Sequence, residues 1–182
     1  MSLVATVLYE DQMQPGSEGA FPAHDLLLAM VGDDMGMAVW ELRKRIRGNP
    51  RKGIDKLIAD VARTQLLAGP GLLCLVVDKD RIAPHLGLPH NASEVQVTAE
   101  IAKRSNAPSK LRVHFLVPNM EGLLRSIADY DGGTRAPHGK NHNERDLFLK
   151  KAAFAPQRAL RDCVREKQPS LEKLAGILAG SV

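Results

Sequence analysis

Two cysteines in 182 residues give no disulfide framework. Cys74 lies inside an apolar run and Cys163 in a helix-like segment, so both read as small buried hydrophobes rather than as ligands of zinc. Aromatic residues make up 4% of the chain, too few for a ring-rich platform that stacks single-stranded bases. No apolar run approaches the roughly 18 residues of a membrane-spanning helix, and the first residues lack the basic and apolar regions of a secretory signal. The expectation is a soluble, cytoplasmic protein with no membrane partner. Several catalytic signatures are missing as well: no G-x-x-x-x-G-K-[ST] loop, no G-x-G-x-x-G after the first strand and no G-x-S-x-G elbow. There is no internal repeat and no low-complexity tract.

What is present suffices for one sizeable core, with 44% hydrophobic residues. Three apolar runs read as strands: Leu3 to Tyr9, closed by Glu10; Leu72 to Val77; and residues 111 to 117, closed by Pro118. Helical patterns lie between them. His24 to Val31 forms a short one, interrupted by Gly32-Asp33-Asp34. Trp40 to about Leu67 forms a longer one, split at Gly48-Asn49-Pro50 because the residue before proline avoids the helical region. Ser93 is placed to cap a helix from about Glu94 to Arg104, and Met120 to Tyr130 forms another. From Asp146 onward the chain reads as helical, with a break at Gln168-Pro169. Strands alternating with long helical crossovers predict an α/β fold: a mostly parallel central sheet with helices on both faces, Rossmann-like in outline. Residues 1–135 would form the α/β domain, and 136–182 a helical C-terminal extension packed on it.

The strand ends carry the chemistry. The run from Gly71 ends in Asp78 and Asp80, one residue apart, and Glu10 closes the first strand. Glu121 follows the third strand by one loop. Ligands of open α/β sheets collect at the carboxyl ends of the strands, and Mg²⁺ takes hard oxygen ligands. Alternation along an extended segment would turn Asp78 and Asp80 to one side and Lys79 away. The D-x-D either holds a divalent cation or opens a surface loop, since aspartate also favours turns. Carboxylates at three successive strand ends favour the cation.

A glutamate closing the first strand and a D-x-D closing a later hydrophobic strand resemble the Toprim pattern, the metal-binding α/β domain of topoisomerases, DnaG-type primases, recombination mediators and the overcoming-lysogenization-defect nucleases. "FLVPNMEGLLRSIADY" is similar to a segment of small stand-alone Toprim-like proteins. The resemblance spans roughly Leu3 to Tyr130 and implies Mg²⁺ or Mn²⁺ held by Glu10, Asp78 and Asp80, with Glu121 either supporting those ligands from behind or acting as a further one. It also implies metal-dependent phosphodiester hydrolysis on nucleic acid, with Glu10 doubling as general base, in a defence or mobile-element setting. One position departs from the pattern: Asp11 follows Glu10 where the family carries a glycine that lets backbone approach the site. The alternative is a non-catalytic binding or regulatory module with a vestigial metal site.

A net charge of +4 suits a polyanionic partner contacted through phosphates. Arg43, Lys44, Arg47, Arg51 and Lys52 form the densest basic cluster, and Arg43 and Arg47 would share a helical face one turn apart. These residues either contact nucleic acid or form a solvated face. His138, Lys140 and His142 lie in a polar loop that either supplies an acid or cation to the site or simply gathers polar residues. His85 and His90 follow the D-x-D without firm ligand spacing.

Overall fold

The structure, a computed structural model, describes residues 3–10, 21–64, 67, 69–117, 119–130, 132, 135–137 and 142–182. Strands β1 (Ala5–Glu10), β2 (Ile46–Arg51), β3 (Leu72–Asp78) and β4 (Leu111–Leu116) form one sheet in the order β2-β1-β3-β4. Every pairing is parallel, as the alternation of strand and crossover predicts. The helices are α1 (Pro22–Met35), α2 (Val39–Leu42), α3 (Ile54–Val61), α4 (Ile82–His85), α5 (Glu94–Lys103), α6 (Met120–Tyr130), α7 (His142–Ala153), α8 (Arg158–Lys167) and α9 (Pro169–Ala179). Among the described residues, no helix is long and apolar enough to cross a membrane.

Strand alternation divides the interior into two cores. Ala5, Val7, Tyr9, Cys74, Val76 and Leu116 point to one face, where α1, α6 and the C-terminal helices cover them. Leu8, Leu73, Leu75, Val77 and Phe115 point to the other, against α3, α4 and α5. Both faces of the sheet are therefore buried, which is why β1 and β3 read as continuous apolar runs rather than alternating ones. Leu149, Leu160, Val164, Leu171 and Leu174 share the first core with β1, so the C-terminal helices build this interior rather than decorate it.

Two expectations about the secondary-structure elements fail, each for a physical reason. The first helix does not stop at Gly32. It runs to Met35 and ends where Gly36 takes a left-handed conformation (φ 66°). Asp33 and Asp34, unfavourable at a helix C-terminus, are matched by arginines from α8. Arg161 grips Asp33 with Nε and Nη2 at 2.6 and 2.8 Å, and Arg165 Nη2 reaches Asp34 at 3.1 Å.

Residues 46–51 are not helix but β2, in register with β1 from Ala5↔Ile46 to Glu10↔Arg51. Proline is tolerated there because β2 is an edge strand. Gly48 is required by close packing: a methyl group on it would lie 2.6 Å from Cδ2 of the His24 ring. That ring is buried and bridges Tyr9 Oη (3.0 Å, at Nδ1) and the Ile46 carbonyl (3.2 Å, at Nε2). Burial lowers the His24 pKa to about 4, so the ring is neutral and its Nε2–H donates to Ile46.

At the other edge, β4 is closed by side chains from the α8–α9 junction. Val117 N–H donates to Gln168 Oε1 at 3.0 Å and Gln168 Nε2 donates back to the Val117 carbonyl at 2.9 Å. Phe115 N–H donates to Ser170 Oγ at 2.9 Å. A glutamine amide thus does what a fifth strand would do. The Ser93 cap forms as expected, with Gln96 completing a capping box.

Candidate functional site

From β1 the chain crosses outward to β2, and from β3 it crosses the opposite way to β4. The carboxyl ends of β1 and β3 therefore flank the point where the winding reverses, the crevice in which open α/β sheets bind ligands. Glu10 and Asp78 end those two strands. The Asp78 backbone N–H lies 3.5 Å from Glu10 Oε2. Asp78 accepts at Oδ1 from Met120 N–H (3.1 Å), the first residue of α6. Beyond Asp78 the chain turns instead of extending, so alternation does not carry through to Asp80 as expected. Lys79 pairs with Glu94 at 3.0 Å, and Asp80 Oδ2 accepts from Asn119 Nδ2 at 3.0 Å. Asn119 also accepts from Glu121 N–H and Gly122 N–H through Oδ1, which ties the α6 N-terminus to the D-x-D turn.

The two strand-end carboxylates are held away from their ordinary protonation. Asp78 is 9% exposed, and burial, then the charges of Glu10 and Asp80, push its pKa from 3.8 up to about 7. Arg81 and the Met120 N–H oppose that shift. The Glu10 pKa is also raised, first by burial and further by Asp80, against the opposing pull of Arg81, the Asp78 N–H and His85. These are carboxylates placed where negative charge is uncomfortable, and a cation there would relieve both.

The side of the crevice under Glu10 carries cationic groups and donors. Arg81 Nη1 lies 3.7 Å from Glu10 Oε1, with its side chain 63% exposed. His85, the last residue of α4, sits at 2.9 Å through Nδ1 from Asp55 Oδ1 in the first turn of α3. His85 and Asp55 lie 30 residues apart in sequence, so no local pattern marks the pair.

Glu121 stands on the exposed first turn of α6, one residue past the Met120 N–H that binds Asp78. The basic cluster does not form one face. Arg43 is bound to Asp25 (2.7 Å), Lys44 lies 4.5 Å from the centre of the Trp40 ring, and both precede β2. Arg47 projects from β2, and Arg51 and Lys52 stand at its far end, where Arg51 pairs with Asp60. A strand, not a helical turn, separates Arg43 from Arg51, and about 16 Å divides the ends of β2. Only Arg51 and Lys52 of this set share the sheet edge with the carboxylates. His142 opens α7 and is exposed, whereas His138, Lys140 and Asp11 lie outside the described residues. His114 is buried with its Nδ1 against the Ser170 carbonyl at 2.9 Å, a structural histidine.

No family model, curated protein or solved structure matches the chain. The likeness to Toprim domains therefore rests on the strand-end residues themselves. Among the described residues, no three His, Cys, Asp or Glu side chains stand together closely enough to hold a metal ion unaided. Two do converge, and Mg²⁺ commonly takes one or two carboxylates with water and substrate phosphate completing its shell. Glu10 and Asp78 fit that smaller requirement.

Proposed function

We propose that the carboxyl edge between β1 and β3 is the active site of a divalent-cation-dependent phosphodiesterase acting on nucleic acid. The observation that carries this reading is the convergence of two buried, mutually repelling carboxylates at the point where the sheet reverses its winding. Glu10 and Asp78 would hold Mg²⁺ or Mn²⁺, with Asp80 beside them, bound by Asn119. The ion, when bound, polarises a phosphoryl oxygen and favours hydroxide over water. Glu10 would double as base toward water, through the carboxylate oxygen it does not give to the ion. Arg81, exposed beside Glu10, offers a cation to a phosphate oxygen, and Arg51 and Lys52 extend positive charge along the same edge.

The test is thermal unfolding of wild type and of the Asp78→Asn/Asp80→Asn double variant, in EDTA and then in millimolar Mg²⁺ or Mn²⁺, followed by cleavage of labelled DNA and RNA. Metal should raise the wild-type midpoint, leave the variant unmoved and support cleavage by wild type alone. If both proteins stay folded and neither responds, the carboxylates open a loop. A second reading, a non-catalytic binding module, then takes over; the contacts of Arg81 with Glu10 and of Asn119 with Asp80 favour it, because they already partner the carboxylates.

A further inference from the structure

The crevice holds an excess of acceptors. With a cation bound, Glu10, Asp78 and Asp80 would be ionised carboxylates, able to take a proton from attacking water but with none to give. Breaking a phosphodiester releases an alkoxide, a poor leaving group unless it is protonated as the bond opens. Arg81 does not give up its proton in a protein. His85 remains, at the end of α4, the helix that directly follows the D-x-D turn.

The placement of His85 suits that task. Its side chain is about two-fifths exposed, so it is open both to a substrate and to reprotonation from water. Asp55 accepts from Nδ1 at 2.9 Å, which fixes the ring and leaves Nε2 as the nitrogen able to deliver a proton. The two residues come from α4 and α3, which pack into the same core under the Glu10 side of the sheet through Ile82, Ala83, Ile54 and Leu57. The pair is therefore carried on fixed elements rather than on a loose loop. Asp55 is 85% exposed at its side chain and supports nothing in the core, so its contact with His85 has no packing purpose.

Building on the phosphodiesterase reading, we propose that His85 is the proton donor to the leaving oxygen, with Asp55 as its positioning residue. The bond changes balance. Water oxygen bonds to phosphorus and gives its proton to Glu10. The ester P–O bond breaks with its electron pair going to the leaving oxygen, and that oxygen takes the proton from His85 Nε2. The products are a phosphomonoester and an alcohol, and solvent resets both groups. Arg81 stays charged throughout on a phosphate oxygen.

Leaving-group dependence tests the assignment. Two phosphodiesters are compared in millimolar Mn²⁺: a labelled oligonucleotide, which releases an alkoxide, and bis(para-nitrophenyl) phosphate, which releases a stable phenolate needing no proton. His85→Gln should lose about 100-fold or more on the oligonucleotide, within the range expected of a general acid, and little on the nitrophenyl ester. Asp55→Asn should show a smaller loss with the same selectivity. Imidazole added to His85→Ala should restore oligonucleotide cleavage, which it would not do for a structural role. The metal-induced rise in unfolding midpoint should persist in His85→Gln. Equal loss on both substrates, or no loss on either, overturns the assignment. Disappearance of the metal-induced rise overturns it too, by making His85 a ligand instead. Failure of the underlying reading looks different: wild type then cleaves neither ester, and the proton-donor role goes with it.

Discussion

Replacing Asp78 with asparagine should make the metal-free protein more stable, an unusual outcome for a buried polar residue. Asparagine keeps the oxygen that accepts from Met120 N–H and removes the charge that Glu10 and Asp80 oppose. The unfolded chain releases the Asp78 proton near 3.8, whereas the fold keeps it until about 7. Folding is therefore penalised progressively as pH rises through that window, and fully above it. At 1.36 kcal/mol per unit, the displacement from 3.8 to about 7 sets a ceiling of roughly 4 kcal/mol. Water and counterions at a sheet edge reduce it, so a gain of about 1–3 kcal/mol above pH 7 is expected, vanishing near pH 4. Urea unfolding of both proteins at the two ends of that window, in EDTA, measures the difference directly. His24 and His114, whose pKa values burial lowers to about 4, weaken the fold as pH falls but do so equally in both proteins and cancel. Mg²⁺ should then narrow or reverse the gap by stabilising wild type alone. A variant as unstable as, or less stable than, wild type above pH 7 would refute the picture of repelling carboxylates.

Two further changes probe the scaffold. Gly48→Ala should cost about 1–3 kcal/mol, because the methyl group meets the buried His24 ring and must displace it from Tyr9 and Ile46; unaltered urea stability would show that the ring gives way freely. Gln168→Ala should cost about 1–3 kcal/mol and speed amide exchange at Val117, whose N–H it now binds, while exchange in β1 stays slow; uniform acceleration would mean that the residue supports the whole fold rather than one edge.

The parts of this fold legible in the sequence are those whose environment is uniform along the chain. β1, β3 and β4 are apolar runs because both sheet faces are covered, and the helix starts at Ser93 and Asn119 carry local caps that a sequence shows. β2 escapes such reading. "IRGNPR" carries a glycine and a proline that locally mean a break, and both are explained only by distant facts: the edge position and the His24 ring arriving from α1. The extension of α1 past Gly32 is hidden in the same way, since Asp33 and Asp34 are tolerated through Arg161 and Arg165 far along the chain. At the site, Glu10 and Asp78 are visible because a carboxylate directly after a buried strand is informative by position. Asp55 and His85 are not, because two separate crossovers must fold before they meet.

The closure of β4 by Gln168 and Ser170 also has a consequence for synthesis. Gln168 lies 51 residues beyond the Val117 amide it satisfies. At roughly 5–20 residues per second, the ribosome takes about 3–10 s to supply it after Val117 emerges. Throughout that interval β4 can pair with β3 yet presents a bare row of donors and acceptors to whatever strand is nearby, a nascent neighbour on the same messenger included. The exposure of this edge thus falls during translation, and it ends when Gln168 and Ser170 arrive to satisfy the strand by imitating a neighbour.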